Sequence, residues 1–261
     1  MHDDLVRSLS MEGRVSVVTG GGSGIGRASA VVLAEAGANV VVCDLDEGGM
    51  AETVRLVEER GARALAVRVD VASRSEVDAL ADKAVERFGR IDAWVNCAGV
   101  IIPKGVIDVI EADVDFQVAV NMKGVLWGCQ AAARIMARNG GGSIVNISST
   151  GGDQASPGIS VYSMTKAAVN ALTRACALEF GPSGIRVNGV GPGFTLTPMT
   201  SVAREPDPKR REEMIAALKK NPLGMIADPR DQALTVLYLA SDASRFVTGQ
   251  TVRPNGGACM S

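Results

Sequence analysis

A chain of 261 residues with 46% hydrophobic and 21% charged side chains holds enough apolar material for a sizeable core, as one large α/β domain or two small ones. Its 27 Lys and Arg are dispersed and outnumbered by 29 Asp and Glu, giving a net charge of −2, which excludes the basic face of a nucleic-acid binder. The one histidine is His2, in a terminus expected to be frayed, which argues against both a Ser-His-Asp hydrolase and a His-ligated metal site, so no metal is expected.

The opening MHDDLVRSLS lacks the apolar core of a signal peptide. Nowhere does an uninterrupted apolar stretch approach the ~18 residues of a membrane-spanning helix. A cytoplasmic protein without membrane contact is expected, and Cys43, Cys97, Cys129, Cys176 and Cys259, odd in number and free of any CxxC, read as free thiols in a reducing compartment. The first strand, RVSVVTG, runs into a turn of five glycines in seven positions and then the helical pattern GRASAVVLAEAG. ANVVVCD and ALAVRVD follow as strands, SEVDALADKAVERFG as a helix ending at glycine, then IDAWVNCAG, SIVNISS, IRVNGVGPG and QTVRPNGG as strands. Strands that are apolar throughout belong to a parallel sheet covered on both faces. The βαβ alternation therefore predicts a single α/β domain, residues 1–261, built on a doubly wound parallel sheet of the Rossmann type. Residues 194–221 break the rhythm with several prolines and an amphipathic helix around Lys209 to Leu218, and read as a substrate-binding lid or, failing that, a solvated excursion.

Glycine-rich turns are common. A strand, a glycine turn and a helix together let the backbone approach a pyrophosphate held at the helix N-terminus. Asp44 ends the second strand 18 residues after Gly26, where a carboxylate can accept the ribose hydroxyls, so dinucleotide binding is expected. Tyr162 and Lys166, at i and i+4 of a helix, share a face, where an ammonium would lower the phenol from its ordinary pKa of ~10 and suit it to proton exchange with an alcohol. Spacing alone would favour a Tyr packed on an amphipathic helix with Lys outside. Tyr238, in LTVLYLA, reads as a core residue.

The glycine spacing is T-G-x3-G-x-G, on Thr19, Gly20, Gly24 and Gly26. With NCAG (Asn96 to Gly99), Asn121, Ser149 placed 13 residues before Tyr162, the YxxxK of Tyr162 and Lys166, and RVNGVGPG followed by Thr197, the chain resembles the single-domain branch of the short-chain dehydrogenase/reductase family over its whole length. The resemblance implies Tyr162 as general acid/base, Ser149 as the donor that orients the substrate oxygen, Lys166 on the nicotinamide ribose, and Asn121 holding a water in a proton relay. It implies a nucleotide site of Gly20, Ser23, Gly24, Ile25, Gly26, Asp44, Leu45, Asp70, Val71, Asn96, Ala98, Gly99, Tyr162, Lys166, Pro192, Gly193, Thr195 and Thr197. The substrate pocket would use Ile101, Ser149, Gln154, Tyr162, Phe194 and Met199, within a wall that also draws on Val100, Ile102, Pro103, Thr150 and Gly152.

That wall is largely apolar, and Asp44 would repel a 2′-phosphate. The expected activity is therefore interconversion of a lipophilic or cyclic secondary alcohol and its ketone with NAD rather than NADP. A 3-oxoacyl-carrier-protein reductase is the nearest alternative. It is disfavoured because Asn139-Gly140 and Ser183-Gly184 stand where such enzymes place basic docking residues. A nucleotide-sensing protein without activity would not need an intact Ser149, Tyr162 and Lys166, nor would a SAM methyltransferase need YxxxK. The resemblance also implies a homotetramer, assembled through helices near Ala112 to Arg138 and Val161 to Phe180. Cys97 in NCAG, Thr195 beside the carboxamide, and VRPNGG in place of VDGG depart from the family pattern.

Overall fold

A computed structural model describes residues 2–154, 156–200, 202, 205–219 and 221–260 of the chain. The strands are β1 (Val15–Thr19), β2 (Asn39–Asp44), β3 (Ala64–Arg68), β4 (Ala93–Asn96), β5 (Gly142–Ile147), β6 (Ile185–Val190) and β7 (Thr251–Val252). They pair in parallel in the order β3-β2-β1-β4-β5-β6-β7. Between them lie α1 (His2–Leu9), α2 (Gly24–Glu35), α3 (Glu47–Glu58), α4 (Arg74–Phe88), α5 (Glu111–Val118), α6 (Gly124–Met136), α7 (Ser160–Phe180), α8 (Pro208–Leu218) and α9 (Pro229–Ala240). The terminus expected to fray is thus helical from His2.

Period-2 alternation divides the apolar strands between two helical layers. Val17, Val41, Trp94, Ile144 and Val187 meet Leu80 of α4, Cys129 of α6 and Val169 of α7. Val18, Val40, Val42, Val95 and Val145 point the other way, onto Leu33 of α2 and Leu239 of α9. Helix α4 starts at a Ser73 side chain accepting from the Glu76 N–H and stops at Gly89, whose φ of 82° only glycine adopts readily. Tyr238 is not the core residue expected. At 36% exposure it lies on the outer side of α9, whose inward face is taken by Ala233, Val236, Leu239 and Ala240. Strand β7 is shorter than the segment QTVRPNGG expected as a strand, because Pro254 has no N–H to continue the ladder and its carbonyl accepts instead from Gly193 and Gln232. Helix α8 buries none of its described residues, unlike the core helices. No helix among the described residues is long and apolar enough to cross a membrane.

Candidate active site

In a doubly wound sheet the ligand crevice opens at the carboxyl ends of the strands, where successive crossovers part to opposite sides. Here β1 leads outward to β2 while β4 lies on its other flank. The glycine loop joins β1 to α2 at this point. A Cβ on Gly20 (φ 67°) would stand 2.7 Å from Cα of Ala98, and one on Gly26 would stand 2.0 Å from the Gly20 carbonyl oxygen. No side chain fits in either place, and the bare backbone is left facing the cavity. Ser23, at the N-cap of α2, makes no side-chain cap bond, and the first turn carries no acidic residue. The free N–H groups and positive dipole end of a twelve-residue helix therefore face the cradle, which fits a pyrophosphate.

Asp44 stands at the end of β2 across from this loop. One carboxylate oxygen accepts from the Gly22 N–H at 2.9 Å, the other from Leu45 at 2.7 Å and Asp46 at 3.1 Å. Arg27, in the first turn of α2, is committed elsewhere: Nε donates to Thr53 at 3.1 Å, and the guanidinium also donates to the carbonyls of Gly49 and Gly22.

A single cavity of about 910 Å³ runs from this end past the ends of β3, β4 and β5 to the catalytic candidates. Ser149 follows β5, and its hydroxyl accepts from the Gly151 N–H at 3.0 Å, which shapes the turn Thr150–Gly152. Tyr162 and Lys166 project from the first turns of α7 into the same cavity, as the i,i+4 spacing predicts. Ser149 and Tyr162 line the same end of the cavity, and the Ser149 hydroxyl acts to lower the Tyr162 pKa. Lys166 is 3% exposed and donates to the Ile147 carbonyl at 2.8 Å, with Nζ 5.6 Å from the centre of the Tyr162 ring.

The expected downward shift of Tyr162 is not what this arrangement produces. Burial raises its pKa above the ordinary value, and the Ser149 hydroxyl only partly opposes it. The ammonium lies against the ring and spends its bond on a carbonyl rather than on the hydroxyl. Burial also brings Lys166 down to about 8, and pushes the Cys97 thiol up to about 12, so the cysteine in NCAG adds no charge at neutral pH.

Most of the expected residues line this one cavity: Gly20, Ser23, Gly24, Ile25, Gly26, Asp44, Leu45, Asp70, Val71, Ala98, Gly99, Pro192, Gly193, Thr195 and Thr197 on the nucleotide side, and Ile101, Gln154, Phe194 and Met199 on the substrate side. Two do not. Asn96 turns inward, accepting from Trp94 Nε1 at 2.7 Å and donating to Asn146 at 2.8 Å, and so ties β4 to β5. Asn121 sits in a π-helical turn, Ala119–Lys123, with its side-chain amide bonded to both the N–H and the carbonyl of Val100 at 2.9 Å. Both amides satisfy buried backbone or side-chain groups, an arrangement that sequence position does not reveal. Ile102 and Gly152 also leave the wall, the first donating its N–H to Gln117, the second packed on the backbone of Lys166 and Ala167.

Residues missed by sequence reasoning include Phe116 of α5, Ile159 before α7, and Ala258 and Cys259 of the C-terminal segment. Phe116 carried a weak signal, an aromatic in the otherwise acidic and polar start EADVDFQV, and it lies half exposed on α5. The tail carried none. Among the described lining residues, the charged side chains are Asp44, Asp70 and Lys166.

Residues 20–259 match the family described as Enoyl-(Acyl carrier protein) reductase. A curated relative, the 3-oxoacyl-[acyl-carrier-protein] reductase FabG of Thermotoga maritima, is 36% identical over 249 residues, covering 95% of this chain and 99% of that protein. A short-chain type dehydrogenase/reductase from Mycobacterium marinum superimposes with a TM-score of 0.91 at 31% identity, covering 98% of this chain and all of its own. A 7 alpha-hydroxysteroid dehydrogenase complexed with NADH and 7-oxo glycochenodeoxycholic acid does so with a TM-score of 0.89 at 33% identity, covering 98% of each chain.

Proposed function

Since this chain belongs to the short-chain dehydrogenase/reductase family of oxidoreductases, we propose that it interconverts a lipophilic or cyclic secondary alcohol and its ketone with NAD. The observation that carries this reading is the convergence of Ser149, Tyr162 and Lys166 at one end of a cavity whose other end is the glycine loop and Asp44. Gly20, Ser23, Gly24, Ile25 and Gly26 would hold the pyrophosphate, Asp44 the adenosine ribose, and Lys166 the nicotinamide ribose. The nicotinamide, when bound, takes up or returns a hydride. Ser149 donates to the substrate oxygen and orients it, and Tyr162 takes the hydroxyl proton in oxidation or gives one in reduction. The Lys166 charge, held against the ring face, favours the phenolate whenever Tyr162 has lost its proton.

The substrate end carries no charged side chain among Ile101, Pro103, Phe116, Gln154, Phe194, Met199 and Ala258, which supports a neutral, apolar substrate. Thr197 lies over the glycine loop, its Cγ2 3.2 Å from where a Gly24 Cβ would be, which supports residues 194–221 as the lid. Residues 201, 203, 204 and 220 of that stretch lie outside the described residues. A second reading, reduction of a 3-oxoacyl thioester, is favoured by the FabG relative. A panel of aliphatic and cyclic secondary alcohols with NAD, followed by NADH absorbance, tests the first reading. Turnover confined to a 3-oxoacyl thioester would replace it with the second.

A homotetramer is part of the proposal. Met164, Ala167, Ala171, Ala175 and Leu178 form an exposed, small and apolar stripe at helical spacing along α7, a face that a second copy would cover. Light scattering at micromolar concentration is expected to return four times the chain mass; a monomeric mass would sink it.

A further inference from the structure

The segment VRPNGG, at odds with the family pattern, has a physical use in this fold. Arg253 donates from Nε to one oxygen of Asp153 at 2.7 Å and from NH2 to the other at 3.0 Å. The same carboxylate accepts from Asn170 of α7 at 3.1 Å, one helical turn after Lys166. The third guanidinium nitrogen donates to the Thr251 carbonyl at 2.8 Å, and the Arg253 stem lies against Gly191. Asp153 follows directly on the turn that begins at Ser149, where Asp153 and Gln154 both donate backbone N–H groups to the Thr150 carbonyl. That turn is pressed on α7, since a Cβ on Gly152 would stand 2.8 Å from the Lys166 carbonyl carbon. A planar, bidentate guanidinium thereby fastens the Ser149 turn, the helix carrying Tyr162 and Lys166, and the end of β7 at one carboxylate.

We infer that Arg253 is a positioning residue of the reaction: through Asp153 it fixes the turn after Ser149, and so holds the Ser149 hydroxyl against Tyr162. This rests on the reading of Ser149 and Tyr162 as the reacting pair. The pair Arg253–Asp153 is mostly sheltered, with side-chain exposures of 24% and 15%. Water therefore competes for it less than for the outer ion pairs, such as Arg55–Glu52 at 54% and 43%. A Lys at 253 would keep one bond and the charge, but lose the fork.

Arg253→Met is expected to lower kcat/KM for the best alcohol of the panel about tenfold, mostly in kcat, with NADH affinity by fluorescence within about twofold. Arg253→Lys, which keeps the charge and one bond but not the fork, should restore only part of the loss. In a Ser149→Ala background the same substitution should add less than about twofold, because its effect runs through Ser149. A readout without turnover is available because the chain has two tyrosines. With Tyr238→Phe as background, the tyrosinate titration of Tyr162 should move upward in Arg253→Met, in the same direction as in Ser149→Ala, since the Ser149 hydroxyl acts to lower it. A change in kcat/KM below about threefold, a loss that simply adds to that of Ser149→Ala, or an unmoved titration overturns the inference. Should Arg253→Met fail to fold, Asp153→Asn keeps the shape, removes the charge and decides on the same measurements. If Tyr162→Phe keeps its turnover, the reading of the reaction fails. If Tyr162→Phe is inactive while Arg253→Met is unimpaired, the clasp alone fails.

Discussion

Tyr162→Phe is expected to cut kcat about a thousandfold while NADH affinity stays within about twofold. The substitution removes one hydroxyl and leaves the ring that packs beside Lys166, so the cradle, the helix and the cavity shape all persist. What disappears is the group that exchanges a proton with the substrate oxygen. Neither Ser149, an ordinary hydroxyl, nor Cys97, held at about 12 by burial, replaces it at neutral pH. Ser149→Ala should slow turnover by about a hundredfold, losing orientation and one hydrogen bond while keeping the proton carrier. The pH dependence follows from the direction of the Tyr162 shift. Burial raises its pKa, so the phenol dominates near neutrality. Ketone reduction, which needs that proton, should be flat there and fall at alkaline pH, whereas alcohol oxidation, which needs the phenolate, should climb as pH rises. Steady-state profiles in both directions measure this. Near-full activity of Tyr162→Phe under conditions where chemistry limits the rate would defeat the assigned mechanism.

The second large effect concerns the choice of nucleotide. The unmodified protein is expected to use NAD with kcat/KM about two orders of magnitude above that with NADP. Asp44 is pinned by three backbone N–H groups, so its carboxylate cannot easily swing away from a 2′-phosphate. Arg27, in the first turn of α2, donates to Thr53, Gly49 and Gly22, and Leu45 at the rim is 51% exposed and uncharged. Like charge without a compensating cation, in a partly desolvated cleft, costs a few kcal/mol. Asp44→Ala with Leu45→Arg should relax the preference toward NADP by removing the repulsion and supplying the cation. Paired kcat/KM values with the two nucleotides decide the matter, and equal or better use of NADP by the unmodified protein would overturn the assignment.

The strands, the glycine loop and the shared face of Tyr162 and Lys166 were legible in the chain because each rests on local chemistry: apolar runs that only a two-sided parallel sheet can bury, a strand-turn-helix junction that admits no Cβ, and a helical period that brings i and i+4 together. The order of strands and the position of the crevice then follow from few choices. Partners distant in sequence were not legible. Asn96 and Asn121 sit where the motifs put them, yet their amides turn to Asn146 and to Val100, because a buried amide goes to whichever unsatisfied group lies nearest in space. Tyr162 has the right neighbour at i+4, but burial rather than that neighbour sets the direction of its pKa. The tail residues Ala258 and Cys259 enter the pocket wall, and Arg253 reaches Asp153 a hundred residues away, only once β7 has docked on β6. The sequence by itself determined the layered sheet, the glycine turn that joins β1 to α2, and the shared helical face of Tyr162 and Lys166, each encoded within a few turns of chain. Only the tertiary structure decided which polar groups face the cavity and what holds Ser149 in place, since those outcomes depend on competition among groups that meet only when distant segments pack.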